Sequence, residues 1–349
     1  MGTPLTGREA LCALKKATTW RTPVACGAND GLLILSESLA MSQEELVDDS
    51  LGAVWPMYSD LGKSSTQGSL DAYMRYDGLD VALALIAGAA GTPAQQETTT
   101  AYKNTIELAD NIVGKFATLA IKKKSDVIAE YPSLKLHGFK LAADMKNPVK
   151  ATLNAVANKE VLTSATNTVS SMGNVTYPDV ANRLIMNANT AFRINDKSGL
   201  ALSDSDKIYP SSFEFNFNRP TEGDLTVSND DIDEPGDNAF PEASVTLNFP
   251  RYNDANHAFF TDWNANTEKK MEIYFRGNLI EGSYYREFKI SMPHVRVANP
   301  TANASGPGKI PMSVTLRLLG TNVAPSGMTG ITKMFQIDVT NTRTTSPLA

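Results

Sequence analysis

Along the second half of this chain, apolar and polar residues trade places with a period of two. Phe213, Phe215 and Phe217 alternate with Glu214, Asn216 and Asn218, and Val245, Leu247 and Phe249 alternate with Ser244, Thr246 and Asn248. The pattern returns at Met271, Ile273 and Phe275, at Phe288, Ile290 and Met292, at Val295 and Val297, and at Met312, Val314, Leu316 and Leu318. Such alternation predicts antiparallel strands with one buried and one wet face. Helical spacing interrupts it at 253–264, where Ala255, Ala258, Phe259, Asp262 and Trp263 are placed to form one apolar face. A second helix is predicted at 79–87, an Ala- and Leu-rich run closed by Gly88 and followed by Pro93. Residues 116–122, a turn at Lys122-Lys123-Lys124-Ser125, and Val127-Ile128 read as a hairpin. Its counterpart runs from Met271 through a turn region at Gly277 and Gly282 to Met292.

The counterparts form an ordered repeat. Gly68-Ser69-Leu70 followed by Arg75-Tyr76 recurs as Ala243-Ser244-Val245 followed by Arg251-Tyr252. Tyr131-Pro132-Ser133-Leu134-Lys135-Leu136 recurs as Met292-Pro293-His294-Val295-Arg296-Val297, and Thr152-Leu153 as Thr315-Leu316. Two copies are too few for a solenoid, so each copy is expected to be a domain with its own core. The expected division is 1–175 for the first domain and 176–320 for the second, with a polar linker at 158–178. Residues 321–349, with Phe335, Ile337 and Val339 as one further strand, are expected to be an arm that could reach a neighbouring chain.

Composition narrows the function. With 32 Lys and Arg against 38 Asp and Glu the formal charge is −6, which argues against gripping nucleic acid, because phosphate binding rests on clustered cations. Cys12 and Cys26 make no disulfide framework, and with three scattered His residues they match no zinc spacing. The N-terminal region carries Arg8, Glu9, Lys15 and Lys16 around a short apolar run, which reads as neither a signal peptide nor a membrane span. Cytoplasmic synthesis without secretion is the expectation.

Acidic side chains concentrate in two places. Between Pro220 and Pro250 there is no Lys or Arg, while Glu222, Asp224, Asp230, Asp231, Asp233, Glu234, Asp237 and Glu242 supply carboxylates. The corresponding place in the first copy, 43–62, carries Glu44, Glu45, Asp48, Asp49 and Asp60. A solvated loop is the plain reading, and the spacing does not match an EF-hand calcium loop. Long loops kept in both copies of a compact domain nevertheless point to a contact. His137, His257 and His294 have no nucleophile motif beside them, and no Gly-rich phosphate loop occurs. No catalytic, cofactor-binding or metal residue is therefore assigned, no cofactor is expected, and the protein is expected not to be an enzyme. The strand aromatics read as core, not as a base-stacking platform.

Several blocks together resemble the tail tube proteins of long-tailed bacteriophages. They are Ala17-Thr18-Thr19-Trp20-Arg21-Thr22-Pro23 then Ser36-Glu37-Ser38-Leu39, Gly68-Ser69-Leu70-Asp71 leading into the Ala/Leu helix, and Met292-Pro293-His294-Val295 with Gly306-Pro307-Gly308. The resemblance implies a mainly β fold with short helices: two tandem β-sandwich or half-barrel domains, each with a flanking helix, assembling into a ring-shaped β-barrel. It implies a structural virion protein that stacks as rings into the hollow tube through which phage DNA enters the host, assembled in the bacterial cytoplasm. The doubled domain favours a flexible, non-contractile tail. Expected partners are further copies of the chain, the tape measure protein, the tail terminator and baseplate or tip proteins. Duplex DNA would pass without specific binding, and no membrane is involved. The candidate ring-to-ring contacts are then Glu44, Glu45, Asp48, Asp49, Glu222, Asp224, Asp230, Asp231, Asp233, Glu234 and Asp237.

Six domains lending about four strands each, at ~4.8 Å spacing and ~40° tilt, close a circle about 48 Å across. Three chains supply six domains, so the expected ring is a trimer with pseudo-sixfold symmetry; a hexamer would need about twice that diameter. The negative charge raises the expectation of an acidic lumen that repels DNA. Rival readings are a capsid decoration, baseplate or fibre-associated protein, and a carbohydrate-binding β-sandwich or hydrolase.

Overall fold

A computed structural model describes residues 7, 10–51, 54–124, 127–226 and 231–349. The first half contributes β1 (Leu11–Ala17), β2 (Ser36–Glu37), β3 (Ala40–Val47), β4 (Ser59–Tyr73), helix α1 (Asp80–Ala87), β5 (Gly88–Ala90), β6 (Ala94–Gln95), β7 (Tyr102–Leu108), β8 (Phe116–Lys124), β9 (Val127–Asp144) and β10 (Lys150–Ala157). After the short helix α2 (Val169–Met172) come β11 (Thr190–Asp196), β12 (Lys207–Ile208), β13 (Ser212–Asn218), β14 (Thr221–Glu222), β15 (Gly236–Asp237), β16 (Glu242–Phe249), α3 (Asp254–Ala265), β17 (Lys269–Glu281), β18 (Tyr284–Thr301), β19 (Met312–Leu318) and β20 (Gln336–Asn341). The fold is mainly β, as expected, and its pairings are antiparallel. One large sheet, which does not close on itself, holds every strand but β14 and β15.

Strand order repeats with the sequence blocks. In the first copy β1 pairs β8, β8 pairs β9, β9 pairs β10 and β10 pairs β4. In the second, β11 pairs β17, β17 pairs β18, β18 pairs β19 and β19 pairs β16. The register agrees in detail: Leu70 faces Leu153 as Val245 faces Leu316, and Asp71 faces Thr152 as Thr246 faces Thr315. The two prolines mark the same irregularity. Ala117 faces Leu134 and Leu119 faces Tyr131, while Lys269 faces Val295 and Met271 faces Met292. Each long strand thus carries one extra residue at Pro132 or Pro293, where a bulge accepts a residue that cannot donate to the ladder. Between β9 and β10 the register is offset by two residues from that between β18 and β19, a shift that keeps every side chain on its own face.

The helices differ. α1 is apolar on nearly every side and buried between strands of the first copy, and Gly88 ends it at φ 95°, a left-handed turn that glycine adopts without strain. α3 starts from Asn253, whose side chain accepts from the Asn256 N–H, but it buries only Asn256 and Phe259. Trp263, expected on its apolar face, is 47% exposed. Of the turn region expected at Gly277 and Gly282, only Gly282 makes the turn. β17 runs through Gly277, and the chain reverses at Gly282 (φ 60°). Gly277 is small because a Cβ there would lie 2.6 Å from the Tyr76 ring.

The copies do not pack apart. Buried apolar side chains form one main cluster running from Cys12 to Val339, so the separate cores expected for the copies are not what the packing shows. Among the described residues two strand pairings join the halves, β13 with the end of β9 and β20 with β7, and isolated bridges link Arg75 to Arg183 and Pro148 to Ile185. β20 also pairs β18. The expected C-terminal arm therefore keeps its strand inside its own chain, hydrogen-bonded on both edges. Phe335, just before it, meets Phe139, Phe215 and Phe217 edge-on at ring-centroid distances of 6.0, 5.2 and 5.1 Å.

Candidate assembly surfaces

The two acidic segments occupy equivalent connections, before β4 and before β16, yet they fold differently. The first is a long hairpin rather than a loop: β3 pairs with the first part of β4, and every residue of β3 is exposed. Glu44 and Glu45 lie on β3, and Asp48 and Asp49 at the start of the tip. The Asp48 carboxylate accepts from the Ser50 hydroxyl and N–H, which holds it below the ordinary Asp value. The tip is apolar as well as acidic. Leu51, Val54, Trp55, Met57, Tyr58 and Leu61 are all more than 60% exposed, a concentration that soluble surfaces seldom leave uncovered. These residues were not singled out from the sequence, because they follow no strand or helix period.

The second acidic segment folds back on its own chain. Asp231 pairs with Lys159 at 2.8 Å, and Asp233 with Arg21 at 2.8 Å. Glu234 meets Lys135 at 2.7 Å and accepts from the Gly114 N–H at 2.7 Å; Asp237 lies 3.7 Å from Arg219. The Trp20 indole N–H and the Arg21 guanidinium donate to the backbone carbonyls of Ile232 and Asp231. The Lys135 side chain is fully buried, and burial pulls its pKa below the usual lysine value against the raising effect of Glu234. Glu222 accepts from the Asn238 amide at 2.6 Å and Asp224 is exposed. Asp230 lies outside the described residues. This segment thus clamps the second copy to Trp20, Arg21, Lys135 and Lys159 of the first.

A continuous arc of sheet runs from the β2–β3 edge through β4, β10 and β9 into β13, β16, β19 and β18. Its inner side chains are the core residues Leu70, Leu153, Phe139, Phe215, Val245 and Leu316. The opposite face is rich in Ser, Thr and Asn: Ser69, Thr152, Asn154, Asn216, Ser244, Thr246, Asn248, Ser313 and Thr315. The Thr152 hydroxyl donates to Asp71 at 2.6 Å, and the hydroxyls of Thr246 and Thr315 lie 3.2 Å apart at the equivalent rung. Charges on this face balance. Asp71, Asp144, Glu214 and Glu242 stand against Lys140, Lys150, Arg296 and Arg317, and Lys140 pairs with Glu214 at 2.7 Å. The excess of acid that was expected to line a passage is not on this face.

Both thiols are free and buried. Burial pushes them up, Cys26 to about 12 and Cys12 further, so neither is poised as a nucleophile. Among the described residues no group of acidic, His or Cys side chains is arranged to hold a metal ion, and no helix is long and apolar enough to cross a membrane.

A duplicated antiparallel sheet with a projecting, exposed apolar hairpin is the build of a structural subunit with surface left for further contacts. The match to the phage tail tube protein family covers residues 7–338, and the chain belongs to that family. No curated protein matches it. Family membership makes the chain a structural protein of the phage tail, and with it a component of the virion.

Proposed function

We propose that three copies of this chain close into a ring with pseudo-sixfold symmetry, and that rings stack into the hollow tube through which DNA leaves a long, flexible phage tail. The observation that carries the reading is the arc of sheet, in which two copies of one strand order continue edge to edge through β9 and β13. Residues 1–175 and 176–320 then act as two tube units of about four strands each. Six units give about 24 strands and a backbone circle about 48 Å wide, enough for a duplex after side chains are added. The Ser-, Thr- and Asn-rich face lines the passage. With its charges in balance it offers phosphates no net cationic grip.

Stacking is the work of the β3–β4 hairpin. Its exposed Leu51, Val54, Trp55 and Met57 are covered by the adjacent ring, with Glu44, Glu45, Asp48 and Asp49 at the rim of that contact. Among the described residues of the second acidic segment, Glu222 and Asp224 are the exposed members without a cation against them and join that contact, since Asp231, Asp233, Glu234 and Asp237 are engaged within the chain. The tape measure protein, tail terminator and tip proteins are the partners at the lumen and the two ends, and assembly takes place in the host cytoplasm. Electron microscopy of the purified protein tests this: hollow filaments with three chains per ring are expected. Discrete oligomers that never elongate, or rings of six whole chains, would overturn it.

A further inference from the structure

The arc of sheet contains one joint between the two copies, β9 with β13, and the duplication says what the next joint along the arc must be. Within the chain, β13 of the second copy lies along the end of β9 of the first: Asn218 faces Gly138, Phe217 faces Phe139, Asn216 faces Lys140 and Phe215 faces Leu141. Each partner has an equivalent in the other copy. β13 precedes β16 and pairs it with Phe215 opposite Val245; β2 precedes β4 and pairs it with Glu37 opposite Leu70. Because Leu70 and Val245 occupy the same rung, Glu37 stands for Phe215, Ser38 for Asn216, Leu39 for Phe217 and Ala40 for Asn218. On the other side, Leu136 and Val297 are each followed by a bulge, at His137 and Ala298. Asn299 therefore stands for Gly138, Pro300 for Phe139, Thr301 for Lys140 and Ala302 for Leu141.

We infer that the border 36–40 of one chain pairs antiparallel with 299–302 of the next, Ser38 opposite Thr301 and Leu39 opposite Pro300. This rests on the ring reading and gives it a register. Both borders are open: β2 pairs only β4, and the end of β18 pairs only β19, among the described residues. Leu35, at the position where Phe213 is 2% exposed beside β9, is 49% exposed, as expected of a core-facing side chain whose neighbour strand belongs to another molecule. Ser38 and Thr301 are exposed, as Asn216 and Lys140 are.

The hydrogen bonding agrees. Arg219 donates its N–H to the His137 carbonyl across the in-chain joint, so alternation makes Phe217–Phe139 a hydrogen-bonded pair and Asn216–Lys140 a non-hydrogen-bonded one. The Leu39 N–H should then face outward. It does, and it is capped by the Glu37 carboxylate at 3.0 Å. Pro300 has a carbonyl to offer that N–H and no donor to return, so this rung carries one bond instead of two.

Facing residues of a non-hydrogen-bonded antiparallel pair stand close enough for a disulfide. Cys12 and Cys26 are buried and should stay silent. Assembled Ser38→Cys/Thr301→Cys chains should convert on mild oxidation into covalent dimers and trimers on non-reducing gels. Mixing Ser38→Cys chains with Thr301→Cys chains should give dimers that neither gives alone. The Ser38→Cys/Ser313→Cys control, one strand further away, should remain monomeric. Tubes in micrographs of a sample that runs only as monomer, or equal cross-linking of the control, would overturn the register and leave the tube reading standing. Wild-type chains that form no rings would overturn both.

Discussion

Lys135 shows what a single residue contributes to joining the copies. Its ammonium is fully buried and rests on Glu234, a side chain that the sequence presents as part of a solvated acidic loop. Removing Glu234 leaves a buried ammonium without its hydrogen-bonded counter-charge, so Glu234→Ala should cost about 3 kcal/mol of stability by denaturant titration. Lys135→Met combined with Glu234→Gln should recover most of that loss. Asp338 supplies a pH signature. Burial raises its pKa, but Lys103 and Lys289 outweigh that and hold it below the ordinary carboxylate value. A carboxylate so depressed stabilises the fold above its unfolded pKa, about 4, and the contribution disappears as pH falls through the lower folded value. Wild type should therefore lose more stability than Asp338→Asn between neutral pH and acid, read from unfolding midpoints across that range.

At the scale of elements, the strands were legible because Phe213, Phe215, Phe217 and their successors alternate strictly, and each forms part of the expected strand. The Tyr131-Pro132 and Met292-Pro293 blocks were legible as a repeat because a bulge tolerates proline at the same place in both copies. The acidic segments were not. A carboxylate in a turn-rich stretch looks the same whether water or a lysine faces it, and Arg21, Lys135 and Lys159 are far away in sequence from Asp233, Glu234 and Asp231. The hairpin of β3 and β4 was hidden for another reason: with no buried face it has no period to read. β20 reads as part of an arm in the sequence because nothing local shows that both its edges are occupied. Phe335, packed on three rings from both copies, anchors the approach to that strand, and Phe335→Ala should cost about 3–5 kcal/mol. Loss of cooperativity between the halves in thermal unfolding would be the accompanying sign.

For the whole molecule, the proposed assembly gives ring formation and ring stacking to different surfaces, so the two should separate experimentally. Replacing Val54, Trp55 and Met57 with Ser alters only exposed side chains, so the monomer's stability should change by no more than about 0.5 kcal/mol per site. Filament formation should be lost while single rings persist, as seen by sedimentation and electron microscopy. Loss of the monomer fold would show instead that the hairpin tip serves the subunit itself.

The β9–β13 joint also bears on how fast a circle can close. In the proposed three-chain ring, three of the six contacts already exist when the polypeptide folds, held together by a covalent backbone that keeps the two partners at high effective concentration. Only the remaining three need encounters between separate molecules, and each encounter is restrained by a border whose donor is occupied by Glu37 and whose opposite rung lacks an N–H at Pro300. On the three-chain reading such borders slow the closing of the first ring, and a finished ring that presents several borders at once speeds each ring laid on it.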